Sequence, residues 1–437
     1  MIYFVLICIA TYIAARSPIL VLNCLFLTGI IGDALIATNL YPEDYGVIGG
    51  GFFAVDMVLI GMAAASAFKI RKALKTSKES TSFIIYLAAF LAFLLFEVIR
   101  NFDVFGWSAP GEFRFRYLVL VIPLYMYFYL ETPSLRRSAL RALIVISVYV
   151  TILVIPIIGF FKGWAVGPEN RFLPASASLG VAYGFFAMLV ARKYRIIHVQ
   201  PLLIWITAIP VLLILIVDSH RSVWLASMVV IVTLAILQEI RLRINLRTVV
   251  QVGVLFVIAL IVLAQVGLPV GEYMSSRASA FVNPEDDPTS NWRLLMWAAN
   301  LEQFSNTPIL GQGFGGYWQI YIPELHQEYT VSPHSLYIQN LIKLGLAGTV
   351  LYLLVIGRVL RILKHWIYEH RRAHQPEYVL VVISFVILIA SHIYYFVYAY
   401  EYYTWLFFGV GIAVLNVGNV IPQASLPEGN LNDKLNR

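Results

Sequence analysis

Charge is scarce in this chain. Asp, Glu, Lys and Arg together make up 13% of its 437 residues, where an ordinary soluble domain carries roughly 25%. So little polar surface cannot cover the 60% of residues that are apolar, and a water-soluble globule is excluded. The same shortage excludes disorder. Cysteine is nearly absent: Cys8 and Cys24 both lie inside apolar runs, so a disulfide framework is excluded too. The opening stretch MIYFVLICIATYIAAR has no basic residue before Arg16. A cleavable signal peptide starts with such residues, so this stretch reads as a retained membrane segment. Also missing are a repeat and a matching pair of Gly/Pro-broken helices of the inverted-repeat transporter kind.

What the chain does have is long apolar runs, with a mean hydropathy of +0.79. They fall near 18–38, 47–68, 82–99, 116–130, 141–161, 172–191, 200–217, 222–238, 248–268, 334–360, 377–396 and 402–420, with a shorter run at 2–14. At about 20 residues per span this predicts an all-α polytopic transmembrane bundle of about 12 spans. The expected organisation is membrane helices over 1–268, one long polar loop over 269–333, membrane helices over 334–420 and a polar tail over 421–437.

The net charge of +7 would suggest nucleic acid in a soluble domain. In a membrane chain it marks sidedness instead, and no nucleic-acid partner is expected. One set of connections holds KIRKALKTSK (69–78), LRRSALR (135–141), RKYR (192–195), RLRINLR (241–247) and Arg358 to Arg372. With Arg16 and the tail it carries 22 of the 31 basic residues. The connections between them, including 269–333, carry 9, counting Lys343 just inside a span, and alternate with the first set along the chain. By the positive-inside rule the first set is cytoplasmic and the long loop faces outward.

Polar residues placed against this composition point to function. Within the long loop, Pro288-Thr-Ser-Asn-Trp-Arg293 opens a helical pattern, with Ser290 as N-cap and apolar residues at Leu294, Leu295, Trp297, Ala298, Leu301 and Phe304. It is too short to span and reads as an amphipathic interfacial helix. Arg293 would then sit in the first turn, where the helix dipole disfavours a cation unless an anion binds with it. Arg221, after Asp218-Ser-His, likewise begins a helix at an outward turn. Pairing with a neighbouring acid is the competing reading for both. His220 reads as an interfacial side chain. In Ser332-Pro333-His334-Ser335, Ser332 reads as N-cap and Pro333 as the first helical residue. That would put His334 in the first turn, where the dipole favours the neutral ring a general base needs.

Other patterns carry less. GQGFGG (311–316) satisfies a dinucleotide fingerprint literally but follows no strand, and its glycines read as a tight backbone turn. The acids at 285–287 lack a spaced ligand pattern, so no metal is assigned. Asp33, Asp56 and Glu97 lie in or near apolar runs, as proton relays do, but pairing at helix ends accounts for them equally. Lys343 has no evident role.

The series DSHRSVWLA (218–226), NWRLLMWAANLEQFSNTPILGQGFGGY (291–317) and PHSLYIQNLIKLGLAG (333–348) resembles the bacterial O-antigen ligase/polymerase superfamily. The resemblance covers about a third of the chain; its most specific element is His334-Ser335 followed by Gly345-Leu-Ala-Gly348. It implies a metal-independent, cofactor-free inverting glycan transferase at the periplasmic face of the bacterial inner membrane. The donor would be a glycan on undecaprenyl pyrophosphate. The acceptor would be a sugar hydroxyl of lipid A–core (ligase) or of a growing glycan (polymerase). His334 matches the family's proposed base, and Arg221 and Arg293 match arginines thought to hold the diphosphate. A polysaccharide transporter or flippase is the rival of another class, but it would place functional charges at mid-membrane, whereas these gather at one face.

The topology is open to direct test. Reporter fusions at Lys75, Arg137, Arg195, Arg243 and Arg371 should report cytoplasm, and fusions within 275–330 should report periplasm. A cytoplasmic signal from the long loop inverts the arrangement.

Overall fold

In a bilayer every backbone N–H and C=O must find its partner inside the protein, and a helix supplies those partners locally. The computed structural model is accordingly helical. It describes residues 2–25, 54–73, 78–150, 152–153, 173, 175–218, 220–239, 254, 257, 261, 288–316, 320–322, 327–329, 333–371, 375–398 and 402–416. The first helices are α1 (Ile2–Arg16), α2 (Ala54–Ala73), α3 (Lys78–Phe105) and α4 (Ser108–Tyr117). A 3₁₀ turn (Leu118–Leu120) leads into α5 (Val121–Tyr129). Next come α6 (Pro133–Ile144), which runs on into a π-helical turn (Val145–Val150), then α7 (Ala175–Lys193), α8 (Pro201–Asp218) and α9 (Arg221–Ile236). The long loop contributes α10 (Pro288–Phe304); α11 (Leu336–His370), α12 (Pro376–Tyr394) and α13 (Tyr402–Leu415) complete the bundle.

Among the described residues four helices are long and apolar enough to cross a membrane: Ser82–Phe105, Ala175–Lys193, Leu336–His370 and Pro376–Tyr394. Leu118–Tyr129, Arg221–Ile236 and Tyr403–Leu415 are apolar but shorter. Most of the run at 248–268, Asp33, the acids at 285–287 and the tail at 421–437 lie outside the described residues. The long loop also holds a feature its helical pattern did not suggest. Ile320–Ile322 and Gln327–Tyr329 form a small antiparallel hairpin with Tyr321 opposite Glu328.

Helix α12 is the central post, buried on nearly every face between Tyr378 and Ser391, as expected of a helix that is apolar all round. Ser384 ties it to α13, donating to Phe407 O at 2.7 Å while accepting from Gly411 N at 2.9 Å. The basic connections meet at one end of the bundle. Lys69 pairs with Glu131 at 2.6 Å, Arg141 donates to Ile196 O at 2.8 Å, Lys193 pairs with Glu239 at 2.7 Å and Arg371 donates to Gln238 Oε1 at 2.6 Å. Folding therefore gathers at one end the described parts of four of the five segments that the charge pattern had grouped; RLRINLR (241–247) lies outside the described residues.

Helix α11 is interrupted at Gly345, where φ is 64° and ψ is −167°, a conformation open essentially to glycine alone. The break leaves carbonyls and amides without helical partners, and the turn after α10 supplies them. Gln312 N and Gly313 N donate to Ile342 O and Lys343 O at 2.7 and 2.9 Å, while Leu346 N and Ala347 N donate to Pro308 O and Ile309 O at 2.8 and 3.0 Å. Gly311, itself at φ +67°, meets Gly345 so closely that a side chain on either would collide with the other strand of backbone. Charged side chains hold the turn in place. Arg100 donates to Leu310 O and Gly311 O at 3.2 and 2.9 Å and pairs with Glu97. Lys343, fully buried, donates to Gly316 O at 2.7 Å and pairs with Glu112 at 3.0 Å, and Glu112 accepts from Gly315 N at 2.8 Å. Asp56 pairs with Arg114 at 3.2 Å. Asp56 and Glu97 are thus ion-paired, and Lys343 acquires a structural role.

Helix α10 runs alongside the first turns of α11. Trp297 Nε1 donates to Pro333 O at 2.8 Å, and the following turn reaches the level of Gly345, nine residues into α11, roughly 13 Å along its axis at 1.5 Å per residue.

Two glycines of α11 should respond oppositely to alanine. Gly345→Ala combines an inaccessible backbone conformation with a collision and should cost about 2–4 kcal/mol. Gly357 is an exposed helical position with nothing near its missing Cβ, so Gly357→Ala should be neutral or stabilising by up to about 1 kcal/mol. Thermal unfolding of the purified variants in one detergent measures both; equal effects would refute the sealed break.

Candidate functional site

The candidate residues lie at the end of the bundle opposite the basic connections. Helix α12 finishes there in a tight turn, with Val397 N donating to Tyr394 O at 3.0 Å. Tyr394 and Tyr398 stack at 4.8 Å. The turn does two things. Its Tyr395 and Tyr398 carbonyls both accept from Leu336 N, the first helical amide of α11, at 3.0 Å. Its Tyr398 ring presents a face and an edge to two other segments.

One of these is α10. The Arg293 guanidinium lies over the Tyr398 ring, 5.7 Å from its centre, within cation–π range. The other is the α8–α9 turn, where the His220 ring meets Tyr398 edge-on at 6.5 Å. His220 is buried, and its Nε2 is 3.1 Å from Leu173 O, which fixes that nitrogen as the protonated one. Arg221 follows as the first residue of α9, half-buried, at a helix start with no side-chain cap. On the remaining side, Trp292 packs against His334 at 5.6 Å, close to edge-to-face. The segments bearing Arg221, Arg293 and His334 therefore meet around Tyr398 and Trp292.

Two local placements differ from expectation. Helix α10 begins at Pro288, so Ser290 lies inside it and Arg293 falls in the second turn, where the dipole has largely faded. Helix polarity therefore makes no case for an anion beside Arg293; what the structure offers is that the segment bearing Arg221 reaches the same Tyr398 ring through His220. His334 lies outside α11: Ser335 occupies the N-cap and Leu336 is the first helical residue. His334 itself is exposed and adopts a left-handed backbone, φ 50°. The cause is capping from a distance. The carbonyls of the α12 turn take the first amide, so the helix starts where that turn lies. Ser332 lies outside the described residues.

A guanidinium group can offer a phosphate oxygen pair a two-pronged donor. An exposed imidazole held against an indole is suited to proton transfer at a neighbouring hydroxyl. Residues 202–353 match the family model for O-antigen ligase. The chain carries an O-antigen ligase-like segment. No curated protein matches the chain. The ligase-like segment includes Arg221, Arg293, His334 and the Gly345 break. Its supports lie beyond it: Tyr395 and Tyr398 follow it, and Arg100 and Glu112 precede it.

Sequence reasoning missed Tyr398, Trp292 and the Lys343–Glu112 pair. A signal for the first was present in the tyrosine-dense stretch YYFVYAYEYYTW (394–405). Tyr398→Phe should keep both ring contacts and near-normal activity. Tyr398→Ala should lower donor use by about 5–30-fold, the equivalent of roughly 1–2 kcal/mol of ring contact. Transfer kinetics on purified protein check this, and equal loss in both variants would assign the effect to the phenol hydroxyl.

Proposed function

We propose that the chain is an O-antigen ligase-like glycan transferase of the bacterial inner membrane, working at the periplasmic face on a glycan carried by undecaprenyl pyrophosphate. The observation that carries this reading is the meeting of the Arg221, Arg293 and His334 segments around Tyr398 at the end away from the basic connections. An acceptor sugar hydroxyl attacks the anomeric carbon of the donor glycan and its proton passes to the His334 imidazole. The bond from that carbon to the diphosphate oxygen breaks, the electron pair leaves with undecaprenyl diphosphate, and the configuration inverts. Arg221 and Arg293 hold the diphosphate and offset its growing charge, so the step as written needs neither metal nor cofactor. The left-handed backbone at His334 is the kind of local strain that functional positions retain. Lipid A–core as acceptor makes the reaction a ligation; a second lipid-linked glycan makes it a polymerisation.

General-base catalysis contributes about 10²–10⁴-fold. His334→Ala should therefore insert and bind donor normally but lose at least the lower figure in transfer, and His334→Gln should be similarly inactive. Arg221→Ala and Arg293→Ala should weaken donor use sharply, with Lys restoring only part because an ammonium lacks the planar fork. Turnover with purified protein and lipid-linked donor decides it. A Gln variant with near-normal turnover would make His334 an orienting group, and fully active Ala variants at both arginines would end the diphosphate assignment.

A further inference from the structure

At the other end of the bundle lies a cavity of about 860 Å³ between the ends of α7 and α9, with Arg371 at its edge. Both helices end in the same way. Arg195 N and Ile196 N donate to Arg192 O and Ala191 O, both at 2.9 Å, while Gln238 N and Glu239 N donate to Ala235 O and Leu234 O at 2.9 and 2.8 Å. This is the paired-bond cap whose left-handed position usually holds glycine. Here Arg195 (φ 58°) and Gln238 (φ 59°) occupy it, each at a backbone cost of about 1–2 kcal/mol. Both side chains line the same cavity. Residues kept against local backbone preference, at two caps facing one space, point to a use for their side chains.

The chemistry of the cavity says what would fill it. Lys193, Arg195 and Arg371 are its cations and Glu239 its carboxylate. Glu239 is buried and already accepts from Lys193, Tyr194 and Tyr378 at 2.7–2.8 Å. Burial, and then that bond to Glu239, push the Tyr194 phenol above its usual range, so it remains a neutral donor. The accessible charge is therefore positive. Leu189, Val190, Leu234 and Leu237 give the cavity an apolar wall. Val232 and Ile236 on the same last turns of α9 are 55% and 74% exposed, as lipid-facing residues are. An occupant with an anionic head and an apolar tail matches both surfaces, whereas a bare phosphate matches one.

We propose that this cavity is a binding site for an anionic phospholipid of the leaflet at the basic end, its phosphate held by Arg195 and Arg371 and its upper acyl chains lying against the apolar wall. Basic clefts between membrane helices on the cytoplasmic side are suited to such head groups. The site lies apart from His334 and does not depend on the transferase reading.

The test uses the full chain in nanodiscs of phosphatidylcholine with and without phosphatidylglycerol, with retained lipid counted by native mass spectrometry. Wild type should retain phosphatidylglycerol over phosphatidylcholine. Arg195→Gly and Arg371→Gln should each weaken that retention about fivefold, the equivalent of roughly 1 kcal/mol per cation. Arg195→Gly has a second, independent readout. Glycine is at home in the left-handed cap, so the melting temperature in phosphatidylcholine alone should stay level or rise. Undiminished retention in Arg195→Gly overturns the proposal. So does a lowered melting temperature, which would make Arg195 a purely structural cap. Displacement by inorganic phosphate without any head-group preference would also overturn it, identifying the ligand as the free anion.

Discussion

A helix broken inside an apolar bundle sets a demanding condition, because the carbonyls before the break and the amides after it have no water to turn to. Each unmet group there costs several kcal/mol. The break at Gly345 is tolerable because the turn over Pro308 to Gly313 returns two acceptors and two donors to it, as a second backbone laid against the first. Much else follows from that fit. The turn must be glycine-rich to approach so closely, and it must be carried inward by a helix. It must also be held by charged side chains, and Arg100, Glu112 and the buried Lys343 do this. Breaking such a buried pair by removing one partner costs about 3–5 kcal/mol, so these charges fix one arrangement of the turn.

The candidate site depends on the same join. Docking the turn at Gly345 runs α10 beside the first turns of α11, which sets Trp292 against His334 and Arg293 over Tyr398. The α12 turn closes the circle by capping α11 and meeting His220, the residue before Arg221. Segments more than a hundred residues apart in sequence are held at one end of the bundle by backbone bonds, and the Arg293 guanidinium lies over an aromatic ring.

The helical class and the sorting of basic segments to one end were legible because both follow from composition, where hydrocarbon and charge partition whatever the details of packing. Arg221 could be placed at a helix start because its turn is four residues long and leaves little choice. Arg293 was misplaced because α10 starts at Pro288, ahead of the Ser290 cap read from sequence, and proline is at home as a first helical residue; His334 was misplaced for another reason. Local capping rules assume that a helix is capped by its own neighbours, whereas α11 is capped by carbonyls of Tyr395 and Tyr398. The Gly345 break was invisible for a related reason: a glycine inside an apolar helical run looks like a small residue until its partner strand is known. Lys343 had no role in sequence because Glu112 and Gly316 reach it only in the fold.

The central claim is that Arg221 and Arg293 grip one anion together, and coupling measures it most directly. Affinity for undecaprenyl diphosphate would be determined for the wild type, Arg221→Ala, Arg293→Ala and the double variant. If both guanidinium groups hold the same diphosphate, the cycle should close with a coupling of about 0.5–3 kcal/mol, the double variant losing less than the sum of the single losses. Strict additivity, or loss in one single variant alone, would contradict a shared site.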